Sequence, residues 1–378
     1  MISSKTRHRV LVRDASDLSA LADDAVDLVV TSPPYPMIAM WDDLFRSLDP
    51  EIGERLERGD GPGAFESMHR VLDPVWAEVR RVTRPGGIVC VNIGDAVRTL
   101  GEHFALYPNH ARILSAMGAS GRPRDRSDAR SDGRSDDRSD GLAALPAILW
   151  RKQTNAPNKF MGSGMLPAGA YVTLEHEFIL IFRKGGKRVF RTPAEKAARR
   201  KSAFFWEERN LWFSDIWMDL KGARQPLADK RSRERSAAFP FELPYRLIQM
   251  FSLRGDTVLD PFLGAGTTTA AAMASGRNSV GCELFPELPG AILDDPEAIV
   301  EIGNRRVAER LTRHLEFAAE RAREKGPLKH RNEPYGFPVM TKQETDLELH
   351  RLEGIRRTGE NRWEAEHAFM AAAPVVGK

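Results

Sequence analysis

Thr257-Val-Leu-Asp-Pro-Phe-Leu-Gly-Ala-Gly-Thr-Thr268 reads as a buried strand, a glycine turn and the opening of a helix, all within twelve residues. The glycines at 264 and 266 let the backbone approach a ligand closely and tolerate a positive φ. Asp260 falls at the carboxyl end of the strand, where open α/β sheets bind their ligands. The next strand, NSVGCEL, ends on Glu283, about 20 residues past the glycines, where an acid can accept both hydroxyls of a ribose. The run is neither G-x-G-x-x-G nor G-x-x-x-x-G-K-[ST], so a dinucleotide fingerprint and a phosphate cradle are both missing. A ligand with a ribose and no phosphates fits better; the alternative is a structural turn in an unrelated α/β protein.

Working outward, the preceding segment FPFELPYRLIQMFS (239–252) has the apolar spacing of a helix. Near the amino terminus, RVLVRD, SDLSALADDAV and DLVV predict strand, short helix and strand, the last running into TSPPYP, where prolines stop it. A Gly-rich loop, GERLERGDGPGAF, leads to an amphipathic helix around Met68–Val82, closed by Arg84-Pro85-Gly86-Gly87 and followed by the apolar strand IVCVNIGD. AILWRKQ and YVTLEHEFILIFRKGG predict further strands. Alternating strands and helices at this spacing imply a parallel sheet with crossover helices. Beyond about Pro286 the chain reads as polar and helical.

Two intervals depart from that pattern. Arg-Ser-Asp recurs at 126, 130, 134 and 138 with almost no apolar residue, so 119–141 reads as a disordered low-complexity insertion. Residues 186–236 hold 14 Lys/Arg against 7 Asp/Glu, interleaved with Phe190, Phe204, Phe205, Trp206, Trp212, Phe213 and Trp217. The chain as a whole carries a net charge of only +3 over 378 residues, so a nucleic-acid partner would have to be met by a local patch such as this one. Its arginines suit phosphates or guanine edges, and its aromatics suit either that surface or a small core.

No apolar run approaches the roughly 18 residues of a membrane span, and the amino terminus lacks a secretory apolar stretch. The two cysteines, Cys90 and Cys282, lie in apolar strands, which excludes a disulfide scaffold or cysteine-ligated zinc and points to a reducing, cytoplasmic setting. His8, His69, His103, His110 and His176 show no ligand spacing, so no metal is expected.

Thr31-Ser-Pro-Pro-Tyr35 sits at the end of an apolar strand. Two prolines fix φ and remove two amide donors, leaving a rigid loop of carbonyl acceptors, a serine hydroxyl and an aromatic face. That set suits the exocyclic amine of a planar base; a proline turn with a packed tyrosine is the bland alternative. Together with the glycine loop it resembles the S-adenosylmethionine-dependent DNA amino-methyltransferases, in the permuted (beta-class) order that places the catalytic motif before the cofactor motif. TSPPY resembles their catalytic motif, DPFLGAGTT (260–268) the cofactor loop, VGCEL (280–284) the ribose motif and RDASDL (13–18) the motif that reaches the adenine edge. AAFPFELPYRLI (237–248), RVTRPGGIVCVNIGD and ILWRKQ also match in order, and the likeness spans about residues 8–285. A serine at the first catalytic position resembles the type II restriction-system N4-cytosine enzymes.

The resemblance implies a Rossmann-like α/β fold with a mostly parallel seven-stranded sheet, helices on both faces, and a small target-recognition insertion. The expected division is 1–185 (catalytic half), 186–236 (target recognition), 237–315 (cofactor half) and 316–378 (a helical extension). It implies catalytic roles for Ser32, Pro33, Pro34 and Tyr35, with Tyr35 stacking on a flipped base and Ser32 with the Pro33 carbonyl accepting from the amine. Cofactor contacts fall to Asp14, Asp260, Pro261, Phe262, Gly264, Gly266, Thr267 and Glu283. DNA contacts are expected from Arg199, Arg200, Arg209, Arg224, Arg231 and Arg233. The expected partner is double-stranded DNA, with a restriction endonuclease as functional counterpart and the enzyme itself a monomer. Adenine N6 as the target, a catalytically silent DNA-binding module, and an RNA or protein-glutamine substrate remain open at this point. The absence of a Pro-Cys dipeptide argues against cytosine C5 chemistry, which needs an attacking thiolate.

Overall fold

The computed structural model describes residues 4–118, 141–152, 161–222 and 239–370. Strands β1 (Ser4–Val12) and β2 (Val26–Thr31) precede helices α1 (Asp42–Leu48), α2 (Pro50–Glu57) and α3 (Gly61–Val82). Strand β3 (Thr83–Ile93), the hairpin β4 (Ala96–Leu100) and β5 (His103–Tyr107), helix α4 (Asn109–Gly118) and strand β6 (Leu142–Arg151) follow. A short hairpin of β7 (Met161–Gly162) and β8 (Ala170–Tyr171) leads to β9 (His176–Lys184), α5 (Pro193–Lys201), α6 (Trp206–Trp212) and β10 (Ile216–Trp217). Then come α7 (Glu242–Phe251), β11 (Thr257–Asp260), α8 (Thr267–Ala274), β12 (Asn278–Glu283), α9 (Gly290–Leu293) and α10 (Pro296–Lys325). The last strands are β13 (His330–Arg331), β14 (Pro338–Val339), β15 (His350–Gly359) and β16 (Arg362–Phe369).

Among the described residues, ten strands form one sheet in the order β10-β6-β9-β3-β2-β11-β12-β1-β16-β15. Its middle, β3-β2-β11-β12-β1, is parallel throughout. Both flanks are antiparallel where β9 pairs with β3 and β6, and where β16 pairs with β1 and β15. The expected seven-stranded sheet is thus corrected to ten. The excess comes largely from the carboxyl-terminal hairpin, which covers the free edge of β1.

The parallel strands are apolar on consecutive residues because both faces are covered. Val29, Val89, Val91 and Leu259 face the core beneath α3 and α4. Their neighbours Leu28, Val30, Ile88, Cys90 and Val258 face α7 and α8 together with Trp212 and Trp217. Helix α3 starts at Gly61, where the Asp60 side chain accepts from Gly63 N and proline occupies the first turn. The expected glycine loop is therefore partly helix, since Pro50–Glu57 forms α2 behind its own Asp49 cap.

Two other expectations change. Residues 15–25 form turns and not a helix: Asp14 Oδ1 and Asp17 Oδ1 accept from Ser16 N and Ser19 N, and the Arg81 guanidinium donates to the Leu18 and Leu21 carbonyls. Such local side-chain bonds compete with the helical ladder. The tail is not a helical extension. Helix α10 runs unbroken across residue 315, and 350–369 are strands whose Leu352, Trp363 and Ala365 pack on Met273 and Ile299. The Arg-Ser-Asp insertion lies outside the described residues except for Gly141.

Candidate active site

Four adjacent parallel strands, β2, β11, β12 and β1, run in the same direction. Their carboxyl ends therefore bring together Ser32, Asp260, Glu283 and Asp14, which are far apart in sequence. They open into a cleft lined by Asp14, Ser32, Pro33, Pro34, Asp260, Pro261, Phe262, Gly264, Thr267 and Glu283. Every expected cofactor residue except Gly266 lines it. Gly266 instead opens α8 at φ +98, where a Cβ would fall 2.7 Å from Leu293 Cγ. Gly264 has φ +56, and a Cβ there would meet nothing; its bare backbone faces open space. Trp41, Leu44, Phe45, Leu72 and Val75 form an apolar wall; none of them was expected as a site residue.

Asp260 ties the two halves of the site together. Its carboxylate accepts from Thr31 Oγ1 and Thr268 Oγ1, each at 2.6 Å, and from Phe262 N at 3.1 Å. Burial nevertheless pushes its carboxyl up to about 6. Glu283 accepts from Gly264 N at 2.7 Å and Phe285 N at 3.0 Å, and burial raises its carboxyl above the usual range. The glycine loop is thus gripped by the acid of the next strand. Asp14 is held by Ser16 N, and Arg13 N donates to the Glu283 carbonyl.

The TSPPY loop is fixed from below. Asn109 donates to the Pro36 and Gly94 carbonyls at 3.1 and 2.9 Å. Ser32, Pro33 and Pro34 face the cleft. Tyr35 does not: it is 8% exposed, and a Cβ on Gly94 would lie 3.1 Å from its ring. Its hydroxyl is bonded to Ser32 Oγ, Asn92 Nδ2 and Glu177 Oε2, which holds the ring inward. The expectation that Tyr35 presents a stacking face to a base is not met by this arrangement. Asn92, Lys152 and Glu177, whose network supports the loop, were not foreseen as site residues. For Asn92 the signal was a polar residue interrupting an apolar strand, in IVCVNI.

Of the arginines expected to touch DNA, Arg199 and Arg200 lie on α5, away from the cleft. Helix α5 lies at the amino ends of the strands: Arg188 pairs with Asp256 and Asp27, and Arg254 donates to the Lys201 carbonyl. Asp256 precedes β11 and Asp27 is the second residue of β2, roughly 10–13 Å of strand away from the cleft end. There Arg199 stacks on Phe190 with 4.8 Å to the ring centroid, and Arg200 pairs with Asp346. Arg209 lies over Phe213 at 5.8 Å. Arg224, Arg231 and Arg233 lie outside the described residues. Phe205, Trp212 and Trp217 are core, whereas Trp206 and Phe213 keep exposed faces.

Both cysteine thiols are pushed up by burial, Cys282 to about 12; neither is a ready nucleophile. Among the described residues, Glu207, His314 and Glu344 are the one grouping close enough to hold a metal ion. The Glu344 carboxylate already accepts from Trp206 N and Thr341, and His314 Nε2 is bonded to the Pro338 carbonyl.

An acid, a glycine loop and a proline-rigid acceptor loop thus meet at the carboxyl ends of adjacent parallel strands. The N6/N4 methyltransferase (DNA methylase) family model matches residues 26–288, and the chain belongs to that family. It is 48% identical to the type II methyltransferase M.MthZI of Methanothermobacter thermautotrophicus over 361 residues, 95% of each chain. It is 45% identical to the type II methyltransferase M.MjaI of Methanocaldococcus jannaschii, covering 76% of this chain and 90% of that one. Among solved structures it is similar to a putative DNA modification methylase of Thermus thermophilus complexed with S-adenosyl-L-methionine, with TM-score 0.54, 30% identity and 78% and 93% coverage.

Proposed function

We propose that this protein transfers a methyl group from S-adenosylmethionine to the N4 amine of a cytosine in duplex DNA at a specific sequence. The observation that carries the reading is the meeting of the Ser32-Pro33-Pro34 loop with Asp14, Asp260, Gly264 and Glu283 in one cleft. The donor set suits that cofactor. Glu283 lies where a ribose would find a charged acceptor, the open space over Gly264 admits close approach, and the apolar wall suits an adenine and a thioether. S-adenosylmethionine supplies an already activated methyl group. The chain's own task is then to hold the amine in line and accept its hydrogens, which is catalysis by positioning and electrostatics. Ser32 Oγ and the Pro33 carbonyl are the acceptors proposed. A base inside a duplex must be turned out to reach them, at a few kcal/mol of unstacking.

The serine of Ser-Pro-Pro-Tyr favours cytosine N4 over adenine N6. The type II relatives support a protective role beside a restriction endonuclease; the same reading has the enzyme act as a monomer in the cytoplasm. Incubating the purified protein with DNA and S-adenosylmethionine, then resolving the nucleosides by mass spectrometry, tests this directly. N4-methylcytosine is expected from the wild type and not from Ser32→Ala. N6-methyladenine would move the target base, and no methylated nucleoside would overturn the reading.

A further inference from the structure

Beside the cleft lies a part-buried polar cluster of Tyr35, Asn92, Lys152 and Glu177. Glu177, near the start of β9, is an acceptor only and is held from two sides. Lys152 Nζ donates to its Oε1 at 2.9 Å and Asn92 Nδ2 to its Oε2 at 2.7 Å. The same Asn92 amide donates to Tyr35 Oη at 2.8 Å, so it faces the cluster as a donor and leaves its own Oδ1 without a partner among the described residues. The carboxylate dictates that orientation, since the reverse would set two oxygens against each other. Tyr35 Oη has one proton, and it lies 3.0 Å from Glu177 Oε2. With that proton spent on Glu177, the phenol oxygen accepts from Asn92 and, at 3.1 Å, from Ser32 Oγ. Ser32 therefore has no proton left for the cleft and shows it only lone pairs.

We infer that Glu177 is a positioning residue that, through Tyr35, sets the hydrogen-bond polarity of Ser32 and so selects an amine over a keto group on the bound base. An exocyclic amine brings hydrogens and is welcomed; a carbonyl in its place meets another acceptor. Tyr35 acts as the link in this chain, and Lys152 and Asn92 keep Glu177 in its accepting orientation. This rests on the reading that Ser32 receives the amine.

Glu177→Gln tests it with little change in shape. The amide offers a donor to Tyr35, which can then turn its proton to Ser32 and make Ser32 a donor to the cleft. The expected result is a fall in kcat of at least about 30-fold, with the Kd for S-adenosylmethionine within twofold of wild type. Duplexes carrying the keto counterpart of the target base, uracil for cytosine or hypoxanthine for adenine, add a readout that a purely structural role would leave alone. The ratio of keto to amino Kd should shift at least fivefold toward the keto duplex in Glu177→Gln. Because Glu177 acts through Tyr35, Tyr35→Phe/Glu177→Gln should be no slower than Tyr35→Phe alone. A wild-type enzyme that methylates while Glu177→Gln stays within threefold of it, or a double variant that loses the product of both factors, overturns the inference. An unchanged keto-to-amino ratio does the same. Should Glu177→Gln fail to fold, the ratio is read on Tyr35→Phe, where the freed Ser32 hydroxyl predicts the same shift in direction and wild-type discrimination refutes it. A wild type unable to methylate DNA would instead count against the proposed function.

Discussion

Asp260 is 2% exposed, accepts three hydrogen bonds and still has its carboxyl raised to about 6 from 3.8 by burial. The folded chain therefore keeps a proton between about pH 4 and 6 that the unfolded chain has lost, so this group's contribution falls as pH rises through that window. Two units amount to about 3 kcal/mol. Relative to Asp260→Asn, the wild type should lose about that much unfolding free energy between pH 4 and 6 and show no further divergence above. Urea titrations of both proteins across that range check it, and a difference independent of pH would contradict it. Glu283 predicts a separate effect. Its alanine variant removes a charged acceptor, worth about 1.5–3 kcal/mol, so calorimetry should find cofactor binding weakened roughly 10- to 150-fold. The variant also frees Gly264 N and Phe285 N, so Glu283→Gln, which keeps a neutral acceptor, should lose less.

At the scale of elements, α5 shows how a cationic run is spent on structure. Arg188 and Arg254 anchor the segment to the amino ends of the sheet, and Arg199 and Arg200 are occupied by Phe190 and Asp346. Arg199→Ala and Arg200→Ala should therefore leave DNA affinity and its salt slope within about twofold and a fraction of a unit; a true phosphate contact would lower the slope by about one. Fluorescence anisotropy at two salt concentrations decides this. The adjoining β10 stays near the catalytic end through Trp150, whose Nε1 donates to the Leu220 carbonyl at 3.0 Å. A Cβ on Gly222 would sit 3.4 Å from the Lys152 side chain, and Phe239 lines the cleft. The expected recognition interval is thus divided: its first part serves the opposite end of the sheet, 216–222 lie beside Trp150 and Lys152, and 223–236 fall outside the described residues.

For the molecule as a whole, the carboxyl-terminal region completes the fold. Strand β16 pairs with β1 over Ser4–Arg9, and Leu352 and Trp363 are 2% and 5% exposed. A second cluster joins Phe205 of the α5–α6 region to Val307, Leu311, Phe337, Val339, Leu347 and Leu349. Burying side chains of this size contributes about 1.5–3 kcal/mol each. Truncation after Lys325 should therefore cost well over 5 kcal/mol, a large share of a typical domain's stability. The truncated protein should be recovered aggregated or with a sharply lowered Tm in calorimetry. An unchanged Tm would mean that the tail only decorates the surface.

Much of the site was legible because its signals are local. A strand ending in Asp260, glycines at 264 and 266, Glu283 one strand later and two prolines after Ser32 each constrain the backbone through their own chemistry, whatever the partners. The strands β2, β3, β11 and β12 were legible for the same reason, being apolar on both faces. Three outcomes depended on partners distant in sequence. Residues 15–25 had helical spacing, but Arg81 from α3 captures their carbonyls. The alternation of Trp363, Ala365 and His367 is that of a strand, yet it is the open edge of β1, far away in sequence, that joins the β15–β16 hairpin to the sheet. Whether an arginine faces DNA or a neighbouring acid, and whether Tyr35 faces a base or Glu177, depends on which groups the fold brings within about 3 Å, and hydrogen bonds and ion pairs of that reach are absent from any window of sequence. The sequence determined the chemistry at the strand ends; the tertiary structure decided which way each polar group points.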